Sequence, residues 1–218
     1  MRLLVVVSIL AAVFADSRTC RAEGLFDLIA SRTAPKLQGR QIGRFLFVTD
    51  HKFDGREMAR DLNALERRLK SDLGLPGVSG TVRIYVFQSH GAFSRYIRKH
   101  IPYLTARDTQ RNGLFLLRNG KAYIFLAQHK RLTESARHEF VHTVVNAAIR
   151  NPPVWVDEGL AMYYETAKPG TNRPHLRKRL EKARRRGHRA NAVKLDSRKS
   201  MSQMTPLDYA ESWAWVRL

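Results

Sequence analysis

The chain has 218 residues, and its 44% hydrophobic content is that of an ordinary globular protein, enough for one domain with a real core. Its only cysteine, Cys20, excludes an internal disulfide, and beyond the N-terminus no segment is apolar enough to cross a membrane. A formal net charge of +20 directs attention to anionic partners.

The first 22 residues read as a secretory signal peptide. Arg2 precedes an apolar run from Leu3 to Ala15, too short to span a bilayer comfortably, and small residues offer cleavage after Ala15 or Ala22. Ser17-Arg18-Thr19 before Cys20 lacks a lipidation pattern, so the expected location is outside the cytoplasm: periplasmic, cell-envelope or extracellular. A loosely ordered lead-in is expected over 23–42, before the folded domain at 43–218. Arg44–Thr49 reads as a buried strand. Met58, Leu62, Leu65 and Leu69 recur at helical spacing between Asp54 and Leu73, and Gly74 and Pro76 end that helix. Thr81–Phe87 alternates as a second strand, and a short helix is expected from Gly91 to His100. The runs 114–117 and 122–126 flank Asn119-Gly120, a strong hairpin signal. The expected fold is α+β, a small mixed sheet with flanking helices followed by a helical hairpin; strand 122–126 is the candidate edge for an extended peptide.

The hairpin carries the chemistry. His138-Glu139-Phe140-Val141-His142 has the form H-E-x-x-H within a helix that Thr133 could cap and that Asn151-Pro152-Pro153 stops after about Arg150. Histidines four residues apart lie on one helical face and can share a metal, while the intervening Glu can deprotonate a water on it. Ala136, Phe140, Val141, Val144, Val145 and Ala148 give the same helix a core face. A hydrolytic zinc site needs a third ligand and keeps a position for water. The next helix, from Pro153, offers Asp157, Glu158 and Glu165, and spacing alone leaves all three open, Asp157 also as a partner behind a ligand histidine.

Arg137–His142 followed by Pro153–Ala161 resembles the peptidase MA-like group of gluzincin metallopeptidases, whose pattern is H-E-x-x-H, a Pro-rich turn and W-x-x-E-G-L-A. The resemblance covers roughly residues 43–218, and only these two motifs are specific. It implies His138, His142 and Glu158 as zinc ligands, Glu139 as catalytic base, and a peptide or protein substrate. Tyr209–Val216 resembles the Y-x-x-S-W-x-x-V helix that follows the site, which makes Tyr209 the first candidate for stabilising the transition state, with Tyr163, Tyr164 and His175 as alternatives. The metzincin pattern fails, because Val145 and Ala148 stand where Gly and His are required.

Elsewhere the reading is plainer. His51, His90, His100, His129, His175 and His188 have no ligand spacing and read as surface or turn residues, while Trp155, Trp213 and Trp215 read as core. A basic segment over about 173–199 has Arg173, Arg177, Lys178, Arg179, Lys182, Arg184, Arg185, Arg186 and Arg189, with Glu181 the one acid between 173 and 189. The Arg177–Arg189 region suits an anionic polymer or a membrane surface; nucleic acid is the weakest partner, since no aromatic residues are interleaved for stacking. Two rival readings follow: a non-catalytic protein that binds envelope components through this segment, and a truncated copy, since the chain stops at Leu218 inside what reads as its last helix.

Overall fold

The computed structural model describes residues 37–105, 108–169 and 173–217. The expected signal peptide, both cleavage positions, Cys20 and the lead-in up to residue 36 lie outside the described residues. Those described form an α+β fold built on a five-stranded mixed sheet of order β1-β2-β3-β5-β4. The strands are β1 (Gln38–Ile42), β2 (Phe45–Thr49), β3 (Val82–Phe87), β4 (Gly113–Arg118) and β5 (Lys121–Ala127). β2, β3 and β5 run parallel, and β1 and β4 pair antiparallel at the two ends.

Each central strand is apolar on both faces, as a sheet covered by helices requires. On one face Val82, Ile84, Val86, Ile124 and Leu126 meet Leu62, Leu65 and Leu69 of α1 (Arg56–Leu73) and Phe140, Val141 and Val144 of α3 (Leu132–Ala148). The other face carries Tyr85, Phe87 and Phe125, with Tyr85 stacked on Phe125 and tilted or edge-on contacts to Tyr96 and Phe93 of α2 (His90–His100). Gly74 ends α1 in the left-handed region (φ 66°), and Asn119 and Gly120 (φ 50° and 70°) make the β4–β5 turn.

Three differences from the sequence-based expectations matter. Gln38–Ile42 is a strand rather than part of a loose lead-in: its polar residues show no apolar alternation, and it is held by pairing with β2. β5 is not an edge, because it is bonded to β3 on one side and β4 on the other; β4 is the end strand, and it lies against α3. α3 begins at Leu132 after Arg131, so Thr133 lies inside the helix and does not cap it.

Past α3, Asn151 (φ 54°) and two prolines turn the chain into α4 (Val154–Tyr164). α5 (Pro174–Arg185), the short α6 (Ala192–Asp196) and α7 (Pro206–Arg217) follow. α7 packs along α4 at Gly159, where a Cβ would lie 2.6 Å from the Ser212 carbonyl oxygen and 2.8 Å from Val216 Cγ2. Trp213 is buried between these helices, but Trp155 is only half-buried and Trp215, on the opposite side of α7, is exposed. His100 is buried against Tyr96, and His188 pairs with the buried Glu211, so neither is the surface histidine expected. No helix among the described residues is long and apolar enough to cross a membrane.

Candidate metal centre

α3 supplies two imidazoles and α4 returns beside it with acids. His142 faces the start of α4, at Asp157 and Glu158, and His138 faces its end, at Glu165. The tight return places 157 and 158, rather than 161, level with His142. One donor atom from each of His138, His142 and Glu158 falls within a mutual 4.8 Å, so the three can hold a metal ion. Glu158 approaches both imidazoles through their Nε2 atoms, at 3.7 Å from His138 and 4.0 Å from His142.

The Nδ1 sides are engaged elsewhere. His138 Nδ1 lies 2.7 Å from Glu165 Oε2, and Glu165 in turn pairs with the buried Arg173. His142 Nδ1 lies 2.9 Å from Asp157 Oδ1, and Asn146 Nδ2 donates to the other Asp157 oxygen at 3.1 Å. A carboxylate stands behind each histidine, hydrogen-bonded at His138 and in an ion pair at His142, and each Nε2 is turned inward, the arrangement that prepares an imidazole for a metal. Of the three acids open on spacing, Glu158 reaches the inner nitrogens, while Asp157 and Glu165 stand behind them.

The electrostatics fit a cation. Burial works against protonation of both imidazoles, yet the carboxylates outweigh it. Glu165 holds His138 above the usual histidine range, and Asp157, with help from Glu158 and Glu139, holds His142 up to about 9. Glu158 is 2% exposed, and its Oε1 has no hydrogen-bond partner. That oxygen has only distant ion-pair neighbours, Arg111 at 3.9 Å and His142 at 4.0 Å; a buried carboxylate oxygen without a hydrogen bond is costly, and a metal ion would satisfy it.

Glu139 points from the same turn of α3 into a cavity of about 500 Å³ whose lining includes His138, Glu158, Met162, Glu165 and Tyr209. Burial raises its carboxyl above the ordinary range, against the pull of the two histidines. The opposite wall is the segment Arg111-Asn112-Gly113 leading into β4. Gly113 leaves room for the Glu139 carboxylate, since a Cβ there would lie 2.7 Å from Glu139 Oε1 and the side chain would have to shift. Tyr209 reaches the cavity from α7, and Arg111 Nη2 donates to its hydroxyl at 3.1 Å. Tyr164 instead donates to Asp72 Oδ2 on α1 at 3.1 Å, and neither Tyr163 nor His175 lines the cavity. The sequence reading missed Arg111 and Gly113; the only available signal was a glycine opening an apolar strand.

No protein-family model matches the chain, and a comparison with curated proteins finds no match either. The reading of the site therefore rests on its own chemistry.

Proposed function

We propose that the protein is an exported zinc metallopeptidase of the gluzincin kind, with His138, His142 and Glu158 as ligands and Glu139 as catalytic base. The observation that carries this reading is the donor triad, His138 partly buried and His142 and Glu158 buried, with a carboxylate beside each histidine and a further acid, Glu139, on the cavity wall. Two imidazoles and one carboxylate favour zinc over hard, oxygen-seeking cations. When bound, zinc would acidify a water and polarise the substrate carbonyl.

The chain's own residues do the rest. Glu139 takes the proton of the attacking water and later delivers it to the departing amine. Glu165 and Asp157 keep the two histidines in place. The end strand β4 begins at the cavity and suits an extended peptide laid along it. A second reading, binding of an anionic polymer or membrane surface through Arg177–Arg189, is supported by the exposure of most of those cations and is compatible with the first.

Metal content and peptide turnover on the full chain test the proposal together. Zinc should be present at about one per chain. Glu158→Ala should lose it, whereas Glu139→Gln should keep it and lose activity by about a thousandfold or more. Undiminished turnover in Glu139→Gln would overturn the mechanism.

A further inference from the structure

Arg111 is a cation whose hydrogen bonds within the site go to neutral acceptors. Its backbone is fastened to the sheet, since Ala127 N donates to the neighbouring Asn112 carbonyl at 2.9 Å. Its side chain, 32% exposed, lies in the cavity. Nη2 donates to the Tyr209 hydroxyl at 3.1 Å, and Nη1 to Met201 Sδ at 3.4 Å. Nη1 also forms an ion pair with Glu158 Oε1 at 3.9 Å, beyond hydrogen-bond reach.

A guanidinium has five donors and closes readily on a carboxylate. Here a phenol from α7 and a thioether from the segment before it hold the guanidinium just short of the buried, unpartnered Glu158 oxygen. The two opposite charges form an ion pair at 3.9 Å without a hydrogen bond between them, so each keeps hydrogen-bonding capacity at the cavity. Glu158 is thereby left for a cation and Arg111 for an anion.

We infer that Arg111 is a catalytic residue, donating to the oxygen of the scissile carbonyl as negative charge builds on it, with Tyr209 positioning the guanidinium. The inference rests on the peptidase reading. The water oxygen bonds to the carbonyl carbon, its proton passes to Glu139, and the carbonyl π pair moves onto the carbonyl oxygen, where Arg111 meets it. When that pair returns, the C–N bond breaks and the nitrogen takes the proton from Glu139, leaving a carboxyl group and a free amine. The alternative anion, a substrate's terminal carboxylate, lies about 3.8 Å or more further along the chain. A guanidinium so close to a ligand oxygen is better placed for the reacting carbonyl. A fixed charged donor of this kind acts where charge develops and needs no reorganisation at that moment.

The test uses the zinc-loaded full chain and its Arg111→Gln, Arg111→Lys and Tyr209→Phe variants, each checked for zinc content and thermal unfolding. Arg111→Gln should lower kcat on a peptide blocked at both ends by about a hundredfold or more, with KM within about twofold. Arg111→Lys should recover part of the loss, and Tyr209→Phe should cost less than Arg111→Gln. A loss confined to KM and seen only with peptides bearing a free C-terminal carboxylate would overturn the inference. Inorganic phosphate, titrated calorimetrically, gives a readout independent of turnover: its affinity should fall about tenfold or more in Arg111→Gln. If the native chain cleaves no peptide, the peptidase reading fails, and phosphate still decides Arg111. Affinity lost in Arg111→Gln keeps it as the anion donor, and unchanged affinity removes it.

Discussion

The α3–α4 hairpin and the basic helix α5 are both rich in charge, and they handle it in opposite ways. In the hairpin Arg137, Glu139, His142 and Glu158 are buried, and each of the two histidines has carboxylates beside it. On α5, Arg177, Lys178, Arg179, Lys182, Arg184 and Arg185 are exposed, and the helix is anchored mainly by Leu176 and Leu180 against α7. Charge placed in the interior is expensive and persists where it has a partner or a task; charge in water costs little and can be lost cheaply. The contrast teaches that the number of charges in a segment says less than their depth. Arg173 marks the border: it opens the basic segment by sequence, yet it is buried against Glu165 and belongs to the candidate metal site by contact.

Substitutions on either side can break this comparison. The largest effect is expected at Arg137, which ties α3 to Asp61 at 2.7 Å and to the carbonyls of Tyr164 and Thr166. Arg137→Ala should cost about 3 kcal/mol by denaturant unfolding, since it strands a carboxylate and two carbonyls. A cost near that of a surface residue would show that buried charge in the hairpin is dispensable. Next comes Glu165→Gln, which keeps the shape and removes the charge behind His138. Zinc affinity, measured by competition with a chelator, should fall about ten- to a hundredfold. The smallest effect is expected on α5. Changing Lys178, Lys182 and Arg185 together to Gln should move stability by about 0.5 kcal/mol or less per site and leave zinc content intact. If the same variant also binds dextran sulfate as tightly as the native chain, α5 is a solvated face and not an anion-binding one.

Much of the fold was legible because it is written in short-range pattern. The apolar spacing of Met58, Leu62, Leu65 and Leu69, the Asn119-Gly120 turn and the prolines after α3 each announce their element. The histidine pair was legible for a related reason, since four-residue spacing puts both imidazoles on one helical face, whereas Glu158 was set above Asp157 and Glu165 by the family resemblance and not by spacing. Strand order was not, because the pairing of β5 with β3 joins segments about 40 residues apart that no local signal links. β1 was missed because Gln38, Arg40 and Gln41 carry no apolar signal of their own. Arg111 was invisible for the same non-local reason, since its phenolic partner is 98 positions away. The separate tasks of Asp157, Glu158 and Glu165 depend on which imidazole nitrogen each one faces, and residue spacing does not contain that.

The three residues that could hold a metal straddle the Asn151–Pro153 turn, two on one arm and one on the other. A cation gripping both arms is therefore also a cross-link closing a 16-residue loop. Its binding energy would count as folding energy, so the fraction of chains with a closed hairpin would follow the free metal concentration by mass action. Supply of the ion would then set the lifetime of the protein as well as its turnover.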